Sequence, residues 1–91
     1  CISAMIPVHV FGQPCDMDAL EKLAAQYNIF MITDAAESLG SFYKGRPSPS
    51  FGRLSTLSFN GNKTLTTGGG GAVLSDDDVL AARLRHITTT A

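Results

Sequence analysis

Lys63 is the first residue whose type and position could do chemistry. It stands in the segment Ser58–Thr64, which reads Ser-Phe-Asn-Gly-Asn-Lys-Thr and follows an apolar run. Ligands of α/β proteins bind beyond the carboxyl ends of strands. A lysine amine held there among polar and glycine residues can form a Schiff base with a carbonyl compound. The alternative is an ordinary solvated loop lysine, and position alone leaves both open.

Asp34 is the second candidate because it directly follows the apolar run Ile29–Thr33 and precedes two alanines. A carboxylate with small neighbours leaves room for a flat ring and can pair with a protonated ring nitrogen. The same carboxylate could cap a short helical turn over Ala35–Leu39. One residue can do both. Glu37 would share the helical face of Asp34, or would be an ordinary surface glutamate.

The glycine run Gly68–Gly71 raises the possibility of a phosphate-binding loop. A Walker A motif requires a glycine directly before the lysine and another glycine five residues earlier. Asn62 and Leu57 occupy those two positions. A tight turn between two strands is therefore the favoured interpretation. His9 lies among apolar residues, and we predict a core histidine with satisfied hydrogen bonds.

The hydrophobic pattern predicts four strands and two helices that would position these residues. The strands are predicted over Ala4–Val10 (with Pro7 inside), Ile29–Thr33, Leu54–Phe59 and Ala72–Leu74. The first helix is predicted from the N-cap Asp16 to Asn28, with an apolar face of Leu20, Leu23, Ala24 and Tyr27. The second follows Ser75–Asp78, with an apolar stripe of Val79, Leu80, Leu84 and Ile87. A hairpin over Phe42–Arg46 and a loop over Pro47–Ser50 complete the α/β prediction, a mainly parallel sheet with flanking helices.

Composition and charge narrow the classes of function. The chain has 91 residues, 44% hydrophobic and 16% charged, with a formal net charge of −1. That balance argues against a protein that binds nucleic acid by neutralising phosphates. No apolar stretch approaches the roughly 20 residues of a membrane span. The two cysteines, Cys1 and Cys15, suggest neither a disulfide framework nor a metal site, and we expect a reducing cytoplasm.

The two ends of the chain suggest a piece of a larger enzyme. The sequence starts on Cys1 without a methionine and ends on Thr-Thr-Thr-Ala without a helix stop signal. We therefore expect residues 1–91 to be part of one large domain, with the remainder of the enzyme outside them.

Four segments together carry a resemblance to a known family. They are Ile6–Pro14, Thr33–Gly40, Ser58–Lys63 and Thr66–Gly71, and they occur in the expected order. The sequence resembles the DegT/DnrJ/StrS family of pyridoxal phosphate (PLP)-dependent nucleotide-sugar aminotransferases. The segment Asp34–Gly40 reads Asp-Ala-Ala-Glu-Ser-Leu-Gly. It is most similar to the same segment in the branch that acts on UDP-4-keto sugars for bacillosamine or legionaminic acid. The resemblance implies part of the large domain of a fold-type-I PLP enzyme.

The resemblance also implies a role for each candidate residue. Lys63 matches the lysine that joins the cofactor and later moves a proton between substrate and cofactor. Asp34 matches the carboxylate that pairs with the pyridine nitrogen, and Ser58 matches a serine that binds the cofactor phosphate. Glu37 stands where many members have glutamine or histidine beside the cofactor ring. No metal is implied.

The implied reaction transfers an amino group, from glutamate in this family, to a keto group of a nucleotide-linked sugar. Members form homodimers, so we expect the isolated chain to be inactive and not to retain PLP. Two positions depart from the family pattern: Thr33, where an acidic residue is usual, and Pro49, where glycine is usual. The alternatives are a non-catalytic or dehydratase-type member of the same fold, and a small nucleotide-binding module that uses the glycine run.

Overall fold

In the computed structural model, which describes residues 1–90, a four-stranded sheet carries two helices and a small hairpin. The strands of the sheet are β1 (Ala4–Met5), β2 (Phe30–Asp34), β5 (Leu54–Ser58) and β6 (Gly71–Leu74). The sheet order is β1-β2-β5-β6; β1, β2 and β5 are parallel, and β6 is antiparallel to β5. The hairpin is β3 (Phe42–Tyr43) with β4 (Arg46–Pro47), and the helices are α1 (Met17–Tyr27) and α2 (Asp78–Thr90). The predicted α/β fold with a mainly parallel sheet is confirmed.

Local sequence signals set the ends of α1 as predicted. The Asp16 carboxylate accepts a hydrogen bond from the Ala19 amide at 3.3 Å, which supplies a partner for one free N–H of the first turn. Asn28 ends the helix in the left-handed conformation, with φ 51° and ψ 48°. The Asp77 carboxylate caps α2 in the same way, accepting from the amides of Val79 and Leu80.

The predicted hairpin also forms, through a two-residue turn. Lys44 and Gly45 both have positive φ, 48° and 83°, as expected for the tight turns whose twist matches that of the strands. Pro47 belongs to β4 and Ser48–Ser50 form a single 3-10 turn, so the loop predicted over Pro47–Ser50 is more regular than expected.

Two predicted elements are wrong. The strand predicted over Ala4–Val10 is only Ala4–Met5, with one isolated bridge from Val8 to Asp34, because Pro7 has no amide hydrogen to continue the ladder. The helical turn predicted over Ala35–Leu39 consists of separate turns. There the Asp34 carboxylate accepts from the Ala36 amide at 3.0 Å, a local turn that competes with helix formation.

The core is small and lies on one face of β2. Met17, Met31 and Phe51 are buried together, and the Tyr43 ring meets the Phe51 ring edge-on at 5.8 Å. Some members of the two predicted apolar faces are exposed within residues 1–90: Leu23 and Tyr27 of α1, and Val79 and Ile87 of α2. Helical periodicity shows which residues share a face, but not how far the body of the protein covers that face. No helix among residues 1–90 is long and apolar enough to cross a bilayer.

Thr33, one of the two departures from the family pattern, is a buried structural residue. Its hydroxyl donates to the Phe51 carbonyl at 2.9 Å, which ties β2 to the chain before β5. It lies on the face opposite Asp34, since successive side chains of a strand alternate. The backbone of Gly52 passes close to this bond with φ +78°, and a Cβ there would stand 2.8 Å from the Thr33 hydroxyl oxygen.

Gly52→Ala should therefore destabilise the intact protein by about 2 kcal/mol or more, since it combines left-handed strain with a steric clash. Thermal or denaturant unfolding measures the loss. Gly61→Ala is the control, because its φ is not in the left-handed range and nothing lies within 4 Å of a Cβ at that position. Equal stability of the two variants would contradict the packing described around Thr33.

Candidate functional site

The pairing of β2 with β5 brings two of the candidate residues onto one face of the sheet. Asp34 is paired with Thr56, and paired residues of neighbouring strands point to the same side. Ser58 lies two residues beyond Thr56 on β5 and shares that side. We call this side, defined by Asp34, Thr56 and Ser58, the open face. All three are half-buried, whereas Thr33 and Ser55 on the other side are fully buried.

The Asp34 carboxylate is held from two directions. Its Oδ1 accepts from the Ala36 amide at 3.0 Å and from the Thr56 hydroxyl at 3.2 Å. Within residues 1–90 its Oδ2 receives no hydrogen bond. The local capping interaction and an available acceptor oxygen therefore coexist, and both functions considered for Asp34 are compatible with this geometry.

The backbone of Asp34 is also held by the segment after β1. The Asp34 amide donates to the Pro7 carbonyl at 2.9 Å, and the His9 amide donates to the Asp34 carbonyl at 3.1 Å. On its other side, the Ala35 amide donates to the Thr56 carbonyl at 3.0 Å. Asp34 is thus fixed between two neighbouring stretches of chain.

Lys63 lies in the turn that follows β5. Its amide donates to the Asn60 carbonyl at 3.0 Å, and its side chain is only 16% exposed. The Lys63 Nζ stands 3.9 Å from Oε1 of Glu37. Lys63 is therefore not the solvated loop lysine of the alternative interpretation.

Glu37 connects Lys63 to the segment after β1. While its Oε1 faces the lysine amine, its Oε2 accepts from the Phe11 amide at 2.7 Å. Phe11 has a positive φ of 54° and is 93% exposed. One cleft is lined by Phe11, Glu37, Asn62, Lys63 and Thr64. Glu37 is thus engaged by two specific partners.

Ser58 ends β5, and the glycine run brings the chain back to pair with it. The Ser58 hydroxyl oxygen accepts from the Asn60 amide at 3.4 Å, and Ser58 is paired with Gly71. A Cβ on Gly71 would stand 2.6 Å from the Leu57 carbonyl oxygen. Gly68 and Gly70 have positive φ, and the run leads directly into β6. The glycines therefore serve the turn between two strands, as the sequence favoured.

His9 is buried as predicted, but its hydrogen bonds are only half satisfied. Nδ1 accepts from the Cys15 amide at 3.0 Å, whereas Nε2 is buried without a partner. Burial lowers the pKa of the His9 imidazole, an effect partly opposed by the Ser48 backbone and by the charge of Asp34.

Sequence reasoning missed Thr56 and Phe11. The signal for Thr56 was its position two residues before Ser58, on the same side of a strand. The contact of Phe11 with Glu37 had no local signal, because 26 residues separate the two. Among residues 1–90, no group of three or more His, Cys, Asp and Glu side chains is placed to hold a metal ion.

The residues of the open face, together with Lys63 in the turn after β5, suit PLP. The cofactor needs an acceptor for its ring nitrogen, an amine for its aldehyde and donors for its phosphate. The free Oδ2 of Asp34, the shielded amine of Lys63 and the hydroxyl of Ser58 supply one group of each kind. Asp34 and Ser58 lie on one side of adjacent strands, and Lys63 follows Ser58 by one turn.

Comparison with known proteins gives curated relatives of closely similar sequence. GDP-perosamine synthase of Caulobacter vibrioides is 49% identical over 82 residues, which are 90% of this chain and 22% of that protein. The putative pyridoxal phosphate-dependent aminotransferase EpsN of Bacillus subtilis is 44% identical over 88 residues, 97% of this chain and 23% of EpsN. The chain therefore spans about a fifth of the length of these relatives.

Solved structures give the same result for the fold. The structure of DesI in the presence of its TDP-sugar product matches with a TM-score of 0.87 and 42% identity, over 92% of this chain and 21% of DesI. The E. coli GDP-4-keto-6-deoxy-D-mannose-3-dehydratase with bound hydrated PLP matches with a TM-score of 0.89 and 26% identity, over 94% of this chain and 22% of the dehydratase. The profile of the DegT/DnrJ/EryC1/StrS aminotransferase family matches residues 2–91. With the PLP-compatible open face and a family match over nearly its whole length, this chain belongs to the DegT/DnrJ/EryC1/StrS aminotransferase family.

Proposed function

We propose that this chain forms part of the PLP-binding large domain of a nucleotide-sugar aminotransferase. The enzyme would transfer an amino group from an amino-acid donor, glutamate, to a keto group of a nucleotide-linked hexose. The observation that carries the proposal is the register Asp34–Thr56. It places a carboxylate and the Ser58 hydroxyl on one face of the sheet, with Lys63 on the next turn.

Asp34 would hold the cofactor ring by its nitrogen. When bound, PLP supplies an electron sink for bonds broken at the carbon attached to the transferred nitrogen. Asp34 keeps the ring nitrogen protonated because its negative charge stabilises the positive ring. The bonds from Ala36 and Thr56 occupy Oδ1, so they fix the carboxylate while Oδ2 serves the ring.

Lys63 would hold and move the proton of the reaction at its Nζ. The amine would accept a proton from the substrate carbon and then donate it to a carbon of the cofactor. Its low exposure limits competing exchange with water. Oε1 of Glu37 faces the amine at 3.9 Å.

Ser58 and Glu37 would complete the contacts that this chain makes with the cofactor. The Ser58 hydroxyl would donate to a phosphate oxygen, and Glu37 would lie beside the ring. The remaining phosphate ligands and the sugar pocket would come from outside residues 1–91. We propose that a second subunit completes the site in a homodimer and that the enzyme works in the cytoplasm. On this basis the isolated chain is inactive and does not retain PLP.

The substrate class rests on the relatives. The names of the similar proteins include a GDP-linked amino sugar and a TDP-linked sugar product, which supports a nucleotide-linked hexose. Products of this kind serve cell-surface polysaccharides, and a spore coat polysaccharide biosynthesis protein of Bacillus subtilis is 42% identical over 82 residues. The UDP-linked bacillosamine or legionaminic acid branch stays a prediction from the sequence.

A dehydratase of the same fold is the second candidate, because the E. coli dehydratase shares the fold with a TM-score of 0.89. The resemblance implies that some such relatives replace the lysine with histidine, whereas Lys63 is present here. Product analysis separates the two: an aminotransferase yields an amino sugar and consumes the amino donor one for one. A deoxygenated sugar without nitrogen would indicate the dehydratase.

Borohydride reduction of the intact protein with PLP should attach the cofactor to Lys63. Peptide mapping by mass spectrometry locates the label, and a label on Lys22 or Lys44 would contradict the assignment. Lys63→Ala should abolish turnover with little loss of stability, because the side chain lies outside the core. Lys22→Ala on α1 is the control and should keep wild-type turnover.

Asp34→Asn should lower the transamination rate by several powers of ten, since it removes the charge but keeps an acceptor for Ala36 and Thr56. Steady-state kinetics measures the loss. Asp16→Asn is the matched control, because Asp16 is also a capping aspartate but lies at the start of α1. Equal activity of the two variants would show that Asp34 serves only as a cap.

A further inference from the structure

We propose that His9 is a positioning residue that anchors the segment Pro7–Gly12 and, through it, sets the geometry of Asp34 and Glu37. The inference rests on the proposed function of these two carboxylates as cofactor contacts. His9 itself would not touch the cofactor.

The segment Pro7–Gly12 has only one buried side chain. His9 is completely buried, whereas Val8, Val10 and Phe11 are exposed. Among the side chains of this segment, the His9 ring is the one that the rest of residues 1–90 encloses, and the Ser41 hydroxyl holds the end of the segment by donating to the Gly12 carbonyl at 2.8 Å.

The ring is fixed by a specific hydrogen bond. The Cys15 amide donates to Nδ1 at 3.0 Å, which assigns the hydrogen of the neutral imidazole to Nε2. The Cys15 thiol donates to the Val8 carbonyl at 3.2 Å, so Cys15, two residues before α1, contacts the segment twice. Nε2 makes no hydrogen bond within residues 1–90, and the Ser48 backbone faces the imidazole closely enough to raise its pKa.

The segment contacts both proposed cofactor residues through its backbone. The Pro7 carbonyl and the His9 amide bond the two backbone polar groups of Asp34. Two residues further on, the Phe11 amide bonds Oε2 of Glu37 at 2.7 Å. Phe11 reaches it in the left-handed conformation, which is strained for an aromatic residue and persists only where the surroundings enforce it. Loosening His9 would release both carboxylates together.

Two substitutions of His9 distinguish the hydrogen bond at Nδ1 from the volume that the ring fills. In His9→Asn the amide oxygen occupies the position of Nδ1 and can still accept from the Cys15 amide. In His9→Gln the polar atoms stand one bond further out and cannot. Positioning through Nδ1 predicts that Asn preserves the geometry and Gln does not, although Gln is closer to histidine in size.

Hydrogen–deuterium exchange of the intact protein without cofactor is the first measurement. His9→Gln should speed exchange at the Asp34 and Phe11 amides about tenfold, and His9→Asn should not, as expected when one hydrogen bond is lost. The Arg53 amide, which donates to Met31 at the other end of β2, is the reference and should be unchanged. Phe51→Leu in the core is the control for general destabilisation and should affect the three amides alike.

Equilibrium titration with PLP is the second measurement. His9→Gln should weaken binding about tenfold relative to both His9→Asn and Phe51→Leu. Equal behaviour of the Asn and Gln variants in either measurement would overturn the proposal, as would unchanged exchange at Asp34. This titration uses the full-length protein. If the full-length wild-type protein does not bind PLP, the proposed function fails, and the exchange experiment still decides whether His9 positions the two carboxylates.

Discussion

The parallel pairing of β2 with β5 is the constraint on which the site depends. The ladder aligns Ile32 with Leu54, Thr33 with Ser55 and Asp34 with Thr56. A shift of one residue would turn every side chain of β2 to the other face. Asp34 would then point into the core and Thr33 toward the open face. The buried Thr33 and Met31 on one face oppose that shift, so the packing of the core also fixes the orientation of the site.

One face of the sheet packs against the core, and the other carries the proposed cofactor residues. The face with Met31 is covered by α1, the hairpin and Phe51, and its polar Thr33 hydroxyl is satisfied by a backbone carbonyl. The open face keeps half-buried polar groups at the carboxyl ends of two adjacent strands, where α/β folds bind ligands. The unusual Thr33 therefore belongs to the structural side and does not meet the proposed cofactor.

Glu37 makes one contact with a charged side chain and one with a backbone amide. One carboxylate oxygen faces the Lys63 amine and the other holds the Phe11 amide. A single side chain thus links the turn after β5 to the segment after β1. Because Asp34 is bonded to that same segment, the two proposed cofactor carboxylates depend on one stretch of backbone.

The sequence alone determined the elements with local causes. Asp16 and Asn28 set the ends of α1, and the apolar runs gave β2, β5 and β6 within one or two residues. The order of Asp34, Ser58 and Lys63, each just after or at the end of an apolar run, was enough to predict a site at the carboxyl ends of strands. These features depend on capping, turn conformation and hydrophobic pattern, which act over a few residues.

Only the tertiary structure decided the features that depend on contacts between distant parts of the chain. The register of Asp34 with Thr56, the bond between Phe11 and Glu37 and the half-satisfied burial of His9 had no local signal. Each joins residues far apart in sequence, or depends on what covers a side chain after folding, and neither is encoded in the pattern of neighbouring residues.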